Sequence, residues 1–303
     1  MGIVVLTDDR VPAVVELCRA ALDLPEDAAE AEQIVTRLRQ RPGDRRTDGF
    51  IALVDDAVVG VVLSSLSSRK PDRGHIDLLA VLPSARRKGI GRALLVRAEA
   101  DLADRGATEV WIAGNPPYYA WPGIDVRYTP AVCLAMKLGY EQDRTAWNMT
   151  ADLSYDGSPA LRSTAPAEER LAAAGIAVRR ATSDDLPALA SLITEHFGGA
   201  WYDEVSHSVD RTDSGCHIAV RGDELLGFAA YGSSRPTWFG PMGTAPAAEG
   251  LGIGGVLLRR CLRDQRASGH EQAQIGWVGP VPFYSGSAGA RIERVFFLYR
   301  RQL

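Results

Sequence analysis

The sequence has only four cysteines (Cys18, Cys133, Cys216 and Cys261), and no two of them form a Cys-x-x-Cys pair. That spacing argues against a zinc site and provides no disulfide framework. The five histidines (His75, His196, His207, His217 and His270) also lack metal-ligand spacing, so no metal is expected. An excess of charge of one sign is missing too. Lys+Arg 34 against Asp+Glu 38 leaves a net charge of −4, which argues against a general binder of nucleic acid or anionic membrane. No apolar run approaches the ~20 residues that cross a bilayer. The amino terminus shows no basic segment followed by an apolar stretch, the mark of a secretory signal. No serine stands in a nucleophile-elbow sequence, which leaves a hydrolase triad without support. The expectation from these absences is a cytoplasmic protein that needs neither metal nor membrane.

What is present is a repeat. A chain of 303 residues is long enough for two domains at the usual ~100–200 residues each. Gly89-Ile90-Gly91 recurs as Gly252-Ile253-Gly254, Gly106 as Gly269 and Ile112 as Ile275, each pair 163 residues apart. The turn before Gly60 (Asp55-Asp56-Ala57-Val58-Val59) has a counterpart before Gly227 (Gly222-Asp223-Glu224-Leu225-Leu226). Equal spacing over such a stretch indicates two copies of one domain. The turn and coil chemistry of Asp156-Gly157-Ser158-Pro159 and Ser163-Thr164-Ala165-Pro166 separates them. The expected division is a first domain over 1–153, a linker over 154–174 and a second domain over 175–303.

Within the first copy, Ile3 to Leu6 reads as a strand, followed by helices over Val11–Ala21 and Ala28–Gln40. Phe50–Val54 and Val58–Ser64 read as a hairpin around Asp55-Asp56. A strand over Ile76–Val81, a helix over Gly91–Arg105, a strand over Val110–Ala113 and a helix over Thr129–Leu138 follow. The second copy opens alike, with a strand over Ile176–Arg179 and Thr182-Ser183-Asp184 ahead of a helix. Hairpins mixed with βαβ crossovers predict an α/β fold with a mixed, twisted sheet flanked by helices in each copy.

The stretch carrying chemistry is Leu79-Ala80-Val81-Leu82-Pro83-Ser84-Ala85-Arg86-Arg87-Lys88-Gly89-Ile90-Gly91-Arg92-Ala93-Leu94-Leu95. A strand ends, a basic glycine-bearing turn follows, and an amphipathic helix begins. Gly89 and Gly91 let the backbone approach a ligand and present successive N–H groups. The helix start adds its unpaired N–H groups and the positive end of its dipole. Arg86, Arg87, Lys88 and Arg92 surround that point with positive charge, which together describes a pyrophosphate site. The competing reading is a loop whose basic residues simply face water.

Arg86-x-x-Gly89-x-Gly91 is similar to the (Gln/Arg)-x-x-Gly-x-(Gly/Ala) signature of the GNAT superfamily of acyl-CoA-dependent N-acyltransferases, and Val81-x-Pro83 and Ala93-Leu94-Leu95 fit the same pattern. The resemblance implies two tandem GNAT-like domains that use acetyl-CoA as co-substrate. It further implies that the backbone of Leu79 and Val81 faces pantetheine and that Arg86 to Gly91 hold the pyrophosphate. In the second copy, Gly250, Gly252, Gly254 and Gly255 keep the glycines, but Glu249 stands where Arg86 does. A carboxylate there opposes a pyrophosphate unless it points away. Gly250 to Gly255 also spells G-x-G-x-x-G, but Pro246 to Glu249 intervene before the first glycine, so the dinucleotide fingerprint is set aside.

Pro282-Phe283-Tyr284 followed by Gly289-Ala290 is similar to the Phe-Tyr stretch of that superfamily, with one extra residue before the glycine, and this makes Tyr284 the candidate general acid. A buried structural tyrosine is the alternative. The matching position in the first copy is Ala135, so an acid there would have to be Tyr118, Tyr119, Tyr128 or water. Asp77, Asp203 and Glu204 are candidate bases, though an amine of pKa near ~7.7–8.0 demands little of one. Aromatic clusters at strand ends (Tyr118, Tyr119 and Trp121; Trp201 and Tyr202; Trp238 and Phe239; Trp277) suit a sugar ring or a peptide backbone. With the stretches Pro116–Gly123 and Ile275–Tyr284 they resemble tandem acetyltransferases acting on glucosamine and glucosaminides, with mycothiol synthase a more distant tandem relative. The expected partner is therefore a small-molecule primary amine. A catalytically silent acyl-CoA binder and an acetyltransferase of protein amino groups are the alternatives, and the oligomeric state is not readable.

Overall fold

The computed structural model describes residues 1–39, 48–67, 69–117, 119–199, 201–209 and 211–303. In chain order the first half forms β1 (Gly2–Val5), α1 (Val11–Ala21), α2 (Pro25–Ala29), α3 (Ala31–Arg39), β2 (Asp48–Val54), β3 (Ala57–Leu66), β4 (Arg73–Val81), α4 (Ile90–Asp104), β5 (Glu109–Ile112), β6 (Ile124–Asp125), α5 (Thr129–Lys137) and β7 (Glu141–Asp152). The second half adds α6 (Ala165–Ala173), β8 (Ala177–Arg180), α7 (Leu186–Phe197), α8 (Tyr202–Val209), β9 (Gly215–Arg221), β10 (Glu224–Tyr231), β11 (Trp238–Thr244), α9 (Ile253–Ala267), β12 (Gln272–Ile275), α10 (Val281–Ala288) and β13 (Arg291–Gln302). The single helix expected over Ala28–Gln40 is broken at Glu30 into α2 and α3, and Gln40 lies outside the described residues.

Contacts divide the chain into Met1–Ala146 with Val295–Leu303, and Trp147–Arg294. The expected boundary over 154–174 thus falls inside the second unit, where it includes α6. The reason is an exchange of strands. Met149–Asp152 of β7 pair antiparallel with β12, while Tyr299–Gln302 of β13 pair antiparallel with β5. Each sheet takes its last strand from the end of the other copy, and the sequence reading identified neither strand. Glu99 on α4 holds β13 in the first unit: Arg301 Nη1 donates to both its oxygens (3.1 Å each) and the Tyr140 hydroxyl to Oε1 (2.7 Å).

The first unit runs β1-β2-β3-β4-β5-β13, with β6 also on β13, and the second runs β8-β9-β10-β11-β12-β7. Only β4–β5 and β11–β12 are parallel among the pairs described, so each sheet is mixed. Helices lie on both faces of the first sheet, and its central strands therefore read as near-continuous apolar runs. Ile51, Val61, Leu63, Leu78 and Ala80 pack with α1 and α3, whereas Phe50, Ala52, Val62 and Ile76 pack with α4. Alternation along β2 and β3 follows the strand period. It fails between Ile76 and Leu78 of β4, two residues apart yet on opposite faces. That irregularity marks the site.

Candidate active site

Register explains the break in β4. Its pairing with β3 passes from Leu63↔Leu78 to Ser64↔Ile76, leaving Asp77 as an extra residue, a β-bulge. Parallel pairing with β5 ends just before it, at His75↔Trp111, and β4 runs on to Val81 without that partner. The Leu82 N–H donates to the Val59 carbonyl (2.9 Å). Counting back along the antiparallel register, Leu79 and Val81 turn their N–H and C=O groups away from β3 and into the gap. The second unit repeats the device. Register shifts at Gly240-Pro241, parallel pairing ends at Phe239↔Ile275, and the Ala245 N–H donates to the Leu226 carbonyl (2.8 Å), which turns Met242 and Thr244 into the gap.

Each gap opens onto a turn of the same shape. Leu82 and Ala245 have φ/ψ of −49/138° and −54/139°, Arg86 and Glu249 of −64/161° and −63/151°, and Gly89 and Gly252 of 82/−2° and 86/6°. The positive φ, not crowding, selects glycine at the last pair, since a Cβ there would meet nothing within 4 Å. Helices α4 and α9 follow, each of 15 residues. Among the described residues, the backbone N–H groups of Arg87 through Arg92, and of Gly250 through Gly255, find no acceptor. Pairing resumes with Ala93 to Gly89 (3.0 Å) and Val256 to Gly252 (3.4 Å). A run of outward N–H groups at the positive end of a helix dipole is an anion cradle.

The basic residues around the first cradle differ in use. Arg86 is turned inward: Nε donates to the Val81 carbonyl (3.1 Å), Nη2 to the Ala21 carbonyl (2.7 Å), and Nη1 and Nη2 reach the Asp23 carboxylate (3.1 Å each). It braces the turn against α1, and Asp23 offsets its charge. Lys88 Nζ donates to the Ser84 carbonyl (3.0 Å). Arg87 and Arg92 are exposed. Glu249, in the second turn, is exposed as well.

The helices beyond the gaps are set by the second glycine of each turn. A Cβ on Gly91 would lie 3.3 Å from Leu134 of α5, and one on Gly254 3.3 Å from Phe283 of α10. The next residues are Ala135, 1% exposed, and Tyr284, 7% exposed. Tyr284 packs edge-on against Phe239 (6.1 Å between ring centroids) and Phe283 (5.1 Å), and its hydroxyl has no hydrogen-bond partner among the described residues. Burial raises its pKa far above the ordinary tyrosine value, so the phenol keeps its proton across the neutral range.

The sequence profile of the acetyltransferase (GNAT) family matches residues 15–120 and 179–278. The chain belongs to the GNAT family. A mycothiol acetyltransferase of Geodermatophilus obscurus is 28% identical over 278 residues, covering 88% of this chain and 84% of that relative. One from Thermobifida fusca is 33% identical over 165 residues, which are 54% of this chain and 46% of the relative, so the chain matches about half of that protein's length. Among solved structures, the glucosamine N-acetyltransferase region of a fungal multi-domain GH3 β-N-acetylglucosaminidase superposes with a TM-score of 0.76 at 18% identity, covering 99% of this chain and 38% of the other. A tandem GNAT protein from the clavulanic acid biosynthesis pathway gives 0.71 at 18% identity over 99% and 98% of the two chains. These likenesses establish the tandem GNAT fold, and the family's acetyl donor is acetyl-CoA.

Against this GNAT frame the other sequence candidates fall in different places. Asp77 occupies the bulge of the first unit, half-buried, and Gly240 takes its place in the second. Asp203 is exposed in the first turn of α8, and Glu204 is buried there. The Tyr128 hydroxyl donates to Asp27 Oδ2 (2.9 Å), as does Trp121 Nε1 (3.1 Å), Tyr119 is half-buried, and Tyr118 lies outside the described residues. Trp201 stacks on Phe197 (5.3 Å), and Trp238 and Phe239 are buried in the second unit. A shallow depression between α6 and α9 holds basic groups, but Arg260 is bound to Glu168 and Arg263 Nη1 to Thr164 Oγ1 (2.9 Å). No helix among the described residues is long and apolar enough to cross a membrane, and none of their side chains form a three-ligand metal group. Sequence reasoning missed both bulges, the first hidden by the regular alternation of Ile76-Asp77-Leu78 and the second signalled by Gly240-Pro241 inside a strand, and it missed the brace made by Asp23.

Proposed function

We propose that the chain transfers the acetyl group of acetyl-CoA to the primary amine of a small molecule, an amino sugar or glucosaminide being the preferred acceptor class, and that the transfer takes place in the second unit. The observation that carries this reading is the juxtaposition there of an open amide cradle, a gap between β11 and β12, and Tyr284, whose ring packs on Phe239 of β11 and whose hydroxyl has no hydrogen-bond partner among the described residues. The names of the relatives support the same class: mycothiol acetyltransferases by sequence, and a glucosamine N-acetyltransferase region by fold.

In this reading the N–H groups of Gly250 through Gly255 bind the pyrophosphate, and the exposed Glu249 stays in water. The backbone of Met242 and Thr244 lines the pantetheine arm and orients the thioester carbonyl. A neutral amine attacks that carbonyl, the N–C bond forms as the C–S bond breaks, and Tyr284 gives its proton to the departing sulfur. Water takes the proton lost by the amine, because no carboxylate stands at the Asp77 position in this unit. In the first unit Leu79, Val81 and the N–H groups of Arg87 to Arg92 would hold acetyl-CoA in the same manner, with Arg87, Lys88 and Arg92 for charge. Arg86 acts there as the brace. Ala135 leaves that unit without an equivalent acid.

The test is thiol release from acetyl-CoA across a panel of amino sugars, acyclic amines and peptide amines, with calorimetry of acetyl-CoA binding alongside. Turnover is expected with a small amine, and Tyr284→Phe should lower kcat by ~10²–10⁴ with acetyl-CoA affinity retained. Binding without turnover on any amine would favour a silent acyl-CoA binder, and turnover confined to peptides would favour protein acetylation.

A further inference from the structure

Of the described aromatic residues at the strand ends, Trp238 and Phe239 are buried and Trp121, Trp201 and Tyr202 pack against the cores, whereas Trp277 keeps the largest exposed surface. It follows the C-terminal end of β12, at the mouth of the gap with β11, and is 36% exposed. Its φ is +48°, a region that disfavours a bulky side chain. The other described non-glycine residues with positive φ are Asp55 and Asp56, in a hairpin turn, and Arg87, in the first cradle. Strain of this kind persists only where the surroundings enforce it, and here they do. The Trp277 N–H donates to Asn148 Oδ1 (2.9 Å), and Asn148 Nδ2 donates to Gln274 Oε1 (3.0 Å). Asn148 is 0% exposed, so an amide committed at both ends fixes the backbone of an exposed tryptophan. The Val278 N–H, bound to the Trp147 carbonyl (3.0 Å), pins the following residue. The repeat spacing puts Gly114 at the equivalent position of the first unit, which has no side chain to offer and, at Ala135, no acid.

We infer that Trp277 is the acceptor platform of the second unit, its indole lying against the apolar face of an amino-sugar ring, and that Asn148 is the positioning residue that holds it there. Ligands of sheets with parallel strands bind beyond the carboxyl ends of those strands, where Trp277 stands. An indole offers a broad flat apolar surface with little rotamer freedom to lose, which suits a rigid ring better than a short flexible amine. The inference rests on the second unit being the site of acetyl transfer.

The experiment compares KM for glucosamine and for ethanolamine at saturating acetyl-CoA. Trp277→Ala should raise KM for glucosamine about tenfold with kcat nearly unchanged, the mark of lost ground-state binding, and leave ethanolamine unaffected. Trp277→Phe should recover most of the loss. Asn148→Ala should reproduce the KM effect with Tyr284 intact, and Asn148→Asp, which keeps an acceptor for the Trp277 N–H but loses the donor to Gln274 Oε1, should recover only part of it. An unchanged KM for glucosamine in Trp277→Ala, or equal shifts for both amines, would overturn the platform. Should the unaltered protein release no thiol with either amine, the transfer reading fails separately, and fluorescence titration with glucosamine decides: saturable quenching abolished by Trp277→Phe supports the platform, and no saturable change refutes it.

Discussion

The two units share a backbone and divide its chemistry. Their turns agree within about ten degrees at each matched φ/ψ pair, and both leave the same run of N–H groups facing outward. Their side chains differ at the places where chemistry is decided. The first unit has Asp77 in its bulge, Arg87 in the cradle and an alanine at 135. The second has Gly240, Gly250 and Tyr284. A carboxylate thus stands in one copy and a phenol in the other. On the proposed reading, a binding cradle made of backbone tolerates side-chain change, because its donors belong to every residue type, whereas proton transfer depends on single side chains and one substitution removes it. It also shows two ways of meeting a positive φ at the second position of the turn. Arg87 (+63°) adopts it at a steric cost and contributes charge, and Gly250 (+79°) adopts it freely and contributes none.

The largest expected effect breaks the comparison altogether by separating the copies. Fragments 1–153 and 154–303 each lack the strand that completes their sheet, so neither alone should show a cooperative thermal transition, while co-expression should restore one. Tyr284→Phe comes next, with the loss in kcat given above. Its pH profile sharpens the point: kcat/KM should rise as the amine loses its proton and then stay level to beyond about pH 10, since Tyr284 is held protonated above the ordinary phenol value of ~10. Exchanging the turns has a smaller effect. Arg87→Gly should stabilise the protein by about 1 kcal/mol by removing the left-handed side chain, and should weaken acetyl-CoA binding severalfold at one of two sites by calorimetry. Gly250→Arg should do the reverse.

The smallest effect concerns the helices that follow β1 and β8. Thr7 makes no side-chain cap, whereas Thr182 and Asp185 form a reciprocal capping box ahead of α7. Two hydrogen bonds from Arg179 (2.7 Å each), then the Thr182 N–H, hold the Asp185 carboxyl down at about 2. Its folded value lies below the unfolded ~3.9, so the stabilisation is complete above that value and is lost as pH falls toward 2. Asp185→Ala should cost about 1 kcal/mol at neutral pH and progressively less as pH falls through 2, and Thr7→Ala should cost nothing measurable, by urea unfolding.

The cradles were legible because everything that makes them is local: a strand end, a proline, glycines at fixed spacing and a helix start, repeated after 163 residues from Gly89 to Gly252. Ala135 as the counterpart of Tyr284 does not follow from the 163-residue spacing, and was legible only by counting back from the glycine that ends each helix, Gly139 and Gly289. The use of Arg86 was not, since its partner Asp23 lies far back in the chain and nothing near either residue marks the pair. Nor was the strand exchange. Glu141–Asp152 and Arg291–Gln302 carry charges along their length, and which sheet a strand joins depends on register with a distant partner, here Ile112↔Tyr299 and Ile275↔Met149. The expected boundary over 154–174 followed composition, which records where the chain turns and not which sheet each strand completes.

The exchange also has a consequence during synthesis. The first unit lies almost wholly in residues 1–146, yet its sheet stays open beside β5 until Val295–Leu303 have been translated. At ~5–20 residues per second that delay lasts on the order of ten seconds, and a ribosome that stalls before Val295 leaves a product with β5 unpaired on that side, a substrate for chaperones and proteases.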